Sequence, residues 1–160
     1  MDDKKLMPEA HDLNDVADFH NLFDLPILDE ATIPSKERCK LRISLLEEEL
    51  KELKEAIDDN DLIEVADAFC DLQYVLSGAI LEFGLGDKFK SLFEEVHRSN
   101  MSKACASMEV ANKTADKYKI EKDTESEIIQ KGDSFLVYRI PDGKVLKSVE
   151  YSPASLSEII

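Results

Sequence analysis

Apolar residues recur at three- and four-residue intervals along most of this chain, and the places where that rhythm stops divide it into elements. Residues 14–24 (NDVADFHNLFD) keep helical spacing, then give way to LPILDEATIPS, whose prolines predict an extended arm. A long helix is predicted from Lys36 to Ile57, with Leu46, Leu50, Leu53 and Ile57 as one buried stripe and Ser35 as its N-cap. The acidic run at 58–61 breaks that helix. Asp61, with Glu64 three residues on, has the layout of a capping box for a second long helix, which Gly84-Leu85-Gly86 stops just past Phe83. A third helix starts near Asp87, passes through FKSLFEEVHRSNMSKA and extends as far as Tyr118 through a polar stretch where it can break. From Ser134 the texture changes: SFLVYRI and KVLKSVEY are β-branched and aromatic runs joined by Pro-Asp-Gly, a hairpin signal. The expected fold is all-α, an antiparallel helical bundle with a small C-terminal β-hairpin. It forms one domain over residues 1–160, with a helical core at about 14–118 and the hairpin at about 134–151.

Charge narrows the partners. With 35 Asp and Glu against 20 Lys and Arg in 160 residues, the formal charge is -15, which disfavours nucleic-acid polymers and anionic membrane surfaces. An anionic small ligand would need a cation between itself and the protein. Cys39, Cys70 and Cys105 are odd in number and widely spaced, so neither a disulfide framework nor a cysteine metal site is expected. No stretch approaches the roughly 18 uninterrupted apolar residues of a spanning helix, and the N-terminus has no apolar leader. A soluble, cytoplasmic protein is the expectation.

The acids are not spread evenly. The second long helix is the most apolar segment of the chain, yet it carries Glu64, Asp67 and Asp71, and no Lys, Arg or His occurs between Glu55 and Asp87. At 100° per residue those three acids share an arc of about 60°. The preceding helix has its own group, Glu48, Glu49 and Glu52, beside its apolar stripe. Two helices joined by about four residues pack antiparallel, which brings the groups within reach of each other. A Glu-rich helix of an acidic protein is usually a solvated face, and Glu64 alone could serve only as a cap. Asp67 and Asp71 lie beyond capping reach, and Asp is a poor mid-helix residue. Converging carboxylates raise each other's pKa unless a hard divalent cation compensates them, and an oxygen-only ligand set suits Mg²⁺ or Mn²⁺.

The ordered set of Glu48-Glu49-Leu50-Lys51-Glu52 and Glu64-Val65-Ala66-Asp67 resembles the EExxE and ExxD signature of the all-α nucleoside triphosphate pyrophosphohydrolases, the MazG-like superfamily. EVADAFCDLQYVL, EFGL, EVHRSNMSK at 95–103 and the tail GKVLKSVEYSP extend the likeness to the phosphoribosyl-ATP pyrophosphohydrolase-like branch. The resemblance implies a homodimer or homotetramer and Mg²⁺-dependent cleavage between the α- and β-phosphates of a nucleotide, giving a monophosphate and pyrophosphate. It implies Glu49, Glu52, Glu64 and Asp67 as metal ligands. Glu48 is the additional glutamate, and Glu48 and Glu49 are the catalytic candidates. Asn100 and Lys103, on one helix face, are implied as phosphate contacts, with His97 and Arg98 nearby. Asp71 is left as a ligand, a partner of Lys103 or an acceptor behind the ligands. Phe19 and Phe23, with His20 and Asn21, could offer stacking faces and hydrogen bonds to a base, although such residues more often serve as core and cap. The resemblance favours a house-cleaning enzyme acting on (d)NTPs. The alternatives are a phosphoribosyl-ATP or dUTP pyrophosphatase and, outside catalysis, an acidic helical module that binds metal for stability or regulation.

Overall fold

Two capped helices and a three-residue link between them build the first half of the molecule, described here from a computed structural model covering residues 7, 8 and 10–160. Helix α2 (Lys36–Asp58) starts where the Ser35 hydroxyl accepts from the Arg38 N–H. Helix α3 (Leu62–Glu82) starts where the Asp61 carboxylate accepts from the Ile63 and Glu64 N–H groups at 3.0 and 3.2 Å. These caps satisfy amide groups that the first turn of a helix leaves unpaired. Asn60, at φ 55°, takes the left-handed conformation that reverses the chain. The two helices run antiparallel: residues on either side of the link share a cleft, and Arg38 near the start of α2 pairs with Glu82 at the end of α3. Helix α1 (Asp12–Leu22) packs on α3, where Gln73 donates to the Asp12 carboxylate at 2.7 Å. Val16, Leu53, Ala56, Ala68, Ile80 and Leu81 form the core of this part.

At the end of α3 the chain passes through Gly84 at φ +65°, where a Cβ would overlap the Glu30 carbonyl oxygen. Only glycine fits there, because both the backbone conformation and the approach of the arm exclude a side chain. The arm itself is held by main-chain bonds from Leu28 N–H to the Leu81 carbonyl and from Thr32 N–H to the Phe83 carbonyl.

The described residues divide into two compact units, one running to Phe89 and the other from Lys90 to Ile160. The second holds α4 (Phe89–Met101), α5 (Met108–Lys122) and a two-stranded antiparallel sheet of β1 (Ser126–Lys131) and β2 (Ser134–Arg139). The register runs from Ser126 opposite Arg139 to Lys131 opposite Ser134. Its core is Cys105, Ala111, Val137 and Leu146, with Val110, Tyr118, Ile128 and Phe135 packed against it.

The all-α fold with a C-terminal hairpin stands as expected; the details differ in three places. The strand expected at 134–140 is β2, but its partner is Ser126–Lys131, so the hairpin spans 126–139 instead of about 134–151. The chain does turn at Pro141-Asp142-Gly143 and pairs Tyr138 with Val145, yet it goes no further as a strand. The amides of Lys147, Ser148 and Val149 go instead to the Tyr118 hydroxyl, the Lys103 carbonyl and the Thr114 hydroxyl.

The helix expected from Asp87 towards Tyr118 is two helices. A pair of bonds between Cys105 and Phe135 pulls the link into the sheet, and Ser107 caps α5 by accepting from Val110 N–H.

The third difference concerns burial. Of the expected stripe on α2, Leu53 is buried and Leu46 half-buried, whereas Leu50 and Ile57 are 58% and 57% exposed. Nor is α3 enclosed: Leu62, Ile63 and Phe69 stand open to solvent. Within the described residues of the first unit, each long helix is covered on one side by its neighbours, and its remaining apolar face is uncovered. No single helix among the described residues is long and apolar enough to cross a membrane.

Candidate active site

The capped turn between α2 and α3 places acids from both helices around one cleft of about 440 Å³, lined by Glu52, Glu55, Asp59, Asp61, Glu64 and Asp67. Helical spacing puts Glu52 and Glu55 on one face of α2, and Glu64 and Asp67 on the facing side of α3. Ala56 and Ala68, both buried, are the small residues that let the two backbones approach beneath the acids.

Glu49 lies one turn further along α2. Its carboxyl is pushed above the ordinary range, first by burial and then by the charges of Asp71, Glu52, Glu48 and Asp67. The Oε2 atom of Glu49 is buried and has no hydrogen-bond partner, a costly condition for a carboxylate oxygen.

All six predicted acids of the site therefore act on this one region: Glu52, Glu64 and Asp67 line the cleft, and Glu48, Glu49 and Asp71 couple to it. The apolar helix does not bury its acids, nor does its neighbour: Glu48, Glu52, Glu64, Asp67 and Asp71 are all exposed, and only Glu49 is half-buried. Among the described residues of this unit, none covers that side of α3, and the cleft is open. As the side chains stand, no group of three His, Cys, Asp or Glu among the described residues is set to hold a metal ion. The donors nonetheless fit one. They are all carboxylate oxygens, and the buried Glu49 oxygen lacks the positive partner that a hard cation provides.

The other predicted residues lie in the second unit. Asn100 and Lys103 are joined by a 2.8 Å bond from the Lys103 ammonium to the Asn100 side-chain oxygen. His97 is exposed. Arg98 is committed within its own unit: both arms of its guanidinium hold Glu95 at 2.7 and 2.8 Å, and it also reaches Ser152 and the Pro153 carbonyl. Glu95 also accepts from Ser155 N–H, and its carboxyl is drawn down to about 2, chiefly by the Arg98 bonds. This arrangement ties the C-terminal tail to α4.

His20 takes the core role and not the base contact: it is 2% exposed. Its Nδ1 donates to the Pro26 carbonyl at 2.9 Å and its Nε2 accepts from Arg42 at 3.1 Å; the two partners fix this tautomer. Phe19 packs on Phe23 with centroids 4.4 Å apart and meets Tyr74 edge-on.

The sequence reading missed a second group of charges at the far end of the α2–α3 pair. Glu82 is 1% exposed and receives Arg38 through Nη2 and, at 3.2 Å, through Nε, while Arg42 donates to it at 2.6 Å. Burial alone would raise the Glu82 carboxyl, but the bonds from Arg42 and Arg38 outweigh burial and leave it below its ordinary value. Gly78 makes room for this network: a Cβ there would sit 2.7 Å from an Arg42 nitrogen and 3.0 Å from His20 Nε2. The cleft residues Glu55 and Asp59 were also missed, although their spacing from Glu52 was visible.

The mostly helical fold is consistent with that of the MazG-like all-α nucleoside triphosphate pyrophosphohydrolases. A family model described as phosphoribosyl-ATP pyrophosphohydrolase matches residues 16–100, more than half of the chain, which therefore belongs to that family within the MazG-like superfamily. Membership supports pyrophosphohydrolase-type chemistry on a nucleotide, and members typically depend on a divalent metal. An uncharacterized protein of Acanthamoeba polyphaga mimivirus is 32% identical over 84 residues, a match covering 52% of this chain and 32% of that protein. The matched segment thus spans about a third of its relative's length.

Proposed function

We propose that this protein is a Mg²⁺-dependent pyrophosphohydrolase that splits the bond between the α- and β-phosphates of (d)NTPs, releasing a monophosphate and pyrophosphate, in a cytoplasmic house-cleaning role. The observation that carries the reading is the unpartnered, half-buried Glu49 amid the charges of Asp71, Glu52, Glu48 and Asp67. Glu49, Glu52, Glu64 and Asp67 would hold the cation, with Mn²⁺ as a substitute. When bound, it supplies charge neutralisation at the phosphates.

The chain's residues supply the rest. A water oxygen attacks the α-phosphorus, the bridging P–O bond to the β-phosphate breaks, and the water proton passes to a carboxylate, Glu48 or Glu49. Asn100 and Lys103, with His97 nearby, would contact the phosphates. The exposed apolar faces of α2 and α3 support a homodimer or homotetramer; a monomer by sedimentation at micromolar concentration would contradict that.

The deciding experiment is pyrophosphate release from a panel of canonical and modified NTPs and dNTPs, phosphoribosyl-ATP and dUTP included, with Mg²⁺, with Mn²⁺ and with EDTA. Metal-dependent release that EDTA abolishes is expected. Undiminished release in EDTA would remove the metal from the reading. No release from any substrate, by a folded protein that binds Mg²⁺, would leave an acidic metal-binding module.

A further inference from the structure

The negative charge of this chain is carried almost wholly by one part of it. Residues 1–89 contain 23 Asp and Glu against 9 Lys and Arg, whereas residues 90–160 contain 12 against 11. Within the near-neutral part the cations are concentrated. A cavity of about 290 Å³ is lined by Lys103, Lys122, Arg139, Lys144 and Lys147 together with Tyr118, and none of its lining residues is acidic. Every one of them lies beyond residue 100, where the family match ends.

The cations differ in how they are compensated. Arg139 is neutralised by Asp142, which takes its Nε and Nη2. Elsewhere in the same unit Lys113 pairs with Glu109, and Lys119 with Asp123 and Glu125. The four lysines of the cavity have no carboxylate partner among the described ion pairs. Lys122 rests over the Tyr118 ring at 5.1 Å, Lys147 over the Tyr151 ring at 4.3 Å, and Lys103 on the Asn100 amide oxygen. The excess charge is felt nearby: the Tyr151 phenol lies below its usual range, first through its bond with Ser99 and further through the fields of Lys147 and Lys103. Gathering like charges costs stability unless an anion is to be received.

The walls are fixed independently of any ligand. Leu146, buried in the core, bonds through its N–H to Val137 on β2, and the amides of Lys147 and Ser148 go to the Tyr118 hydroxyl and the Lys103 carbonyl. Helix α5 with Lys122, strand β2 with Arg139, the 144–148 segment with Lys144 and Lys147, and the link after α4 with Lys103 thus form a preformed frame, which lowers the entropy cost of binding.

We propose that this cavity binds a di- or triphosphate group, free or linked to a sugar. A singly charged anion would leave most of the four lysines uncompensated, while an oligophosphate matches them in charge. The volume lies at the lower end of small-molecule sites, suiting a phosphate chain. A nucleic-acid polymer is disfavoured by the net charge of -15. The site needs no metal and shares only Lys103 with the hydrolase reading; Lys122, Lys144 and Lys147 have no part in that reading.

The test is isothermal titration of the full-length protein in EDTA with inorganic tripolyphosphate, pyrophosphate and a non-hydrolysable nucleoside triphosphate, with sulfate as control. Saturable one-to-one binding of the oligophosphates that weakens with salt is expected. Binding should fall about tenfold or more in Lys144→Ala/Lys147→Ala and in Lys122→Glu, whose exposed side chains leave the fold intact by circular dichroism. It should persist in Glu49→Gln, which separates it from the acidic cleft. A preference for the nucleotide over tripolyphosphate would place the sugar-linked form in the site; equal binding would place the free chain there. The proposal is overturned by absence of saturable binding, by affinity unchanged in both variants, or by binding of RNA or anionic vesicles without binding of oligophosphate.

Discussion

Glu49→Gln is expected to lower pyrophosphate release by at least about 100-fold in kcat/KM, the scale on which removal of a single preorganised charge in a phosphoryl-transfer site is felt. The same change should raise the melting temperature measured in EDTA. A carboxyl whose folded-state pKa lies above its unfolded value destabilises the folded protein as pH rises through that interval, and the neutral amide removes this penalty. Mg²⁺ should stabilise the wild type and have much less effect on the variant, because a ligand that binds only the folded state raises its stability in proportion to occupancy. Asp67→Asn should behave alike in turnover. The pairing of lost activity with gained metal-free stability is the discriminating result. A Glu49→Gln protein that keeps its turnover, or loses it by melting earlier, would mean that the cleft acids serve the surface or the fold.

Glu82→Ala has the opposite signature: a loss of about 3–5 kcal/mol of unfolding free energy at pH 7, out of the roughly 5–15 kcal/mol typical of a domain. The cost arises because Arg42, 7% exposed, is left without its anion beside His20, and Arg38 loses two bonds. The pH dependence follows from the depressed folded-state value. The contribution of Glu82 is complete above its unfolded pKa of about 4.3 and disappears as pH falls through the folded value. Urea midpoints of wild type and variant should therefore differ widely at pH 7 and draw together towards pH 3. Glu82→Gln, which keeps the shape and some hydrogen bonding, should fall between them. Equal midpoints at pH 7 would show that the arginines find water instead.

What the sequence discloses about this protein follows from the range of the interactions involved. Helices α1, α2 and α3 lie where spacing and caps place them, because Ser35 and Asp61 act within three residues of themselves. The cleft was legible for the same reason: acids at i, i+3 and i+4 on two helices joined by a short link are forced together whatever the rest of the chain does. Glu82 was not, since its partners stand 40 and 44 positions away and nothing local distinguishes Arg38 or Arg42 from a surface cation. Hydropathy marks the apolar positions of α2 but not what covers them, so Leu50 and Ile57 were read as one buried stripe with Leu46 and Leu53. The hairpin was misplaced because SEIIQK is mostly polar, and its pairing depends on Val137 having a core to enter. Lys122, Lys144 and Lys147 converge through the Leu146–Val137 and Lys147–Tyr118 bonds, which no motif announces.

The distance along the chain between Glu82 and its arginines also bears on the order of events in folding. Near the Asp61 turn, α2 and α3 meet through short loops and can associate early at little entropic cost. Arg38 and Arg42 reach Glu82 only when the hairpin has closed along its length, and His20 reaches Arg42 only when α1 has docked, 22 positions away. The buried charge cluster is thus a late-forming latch at the open end of the hairpin. Its removal should act chiefly on the unfolding limb of a chevron plot: Glu82→Ala would unfold much faster than the wild type while refolding at nearly the same rate. A slowed refolding limb would instead put the latch in the nucleus. As a latch, the cluster sets how long the acidic cleft stays assembled once formed, and residence in the folded state becomes the property that these four side chains govern.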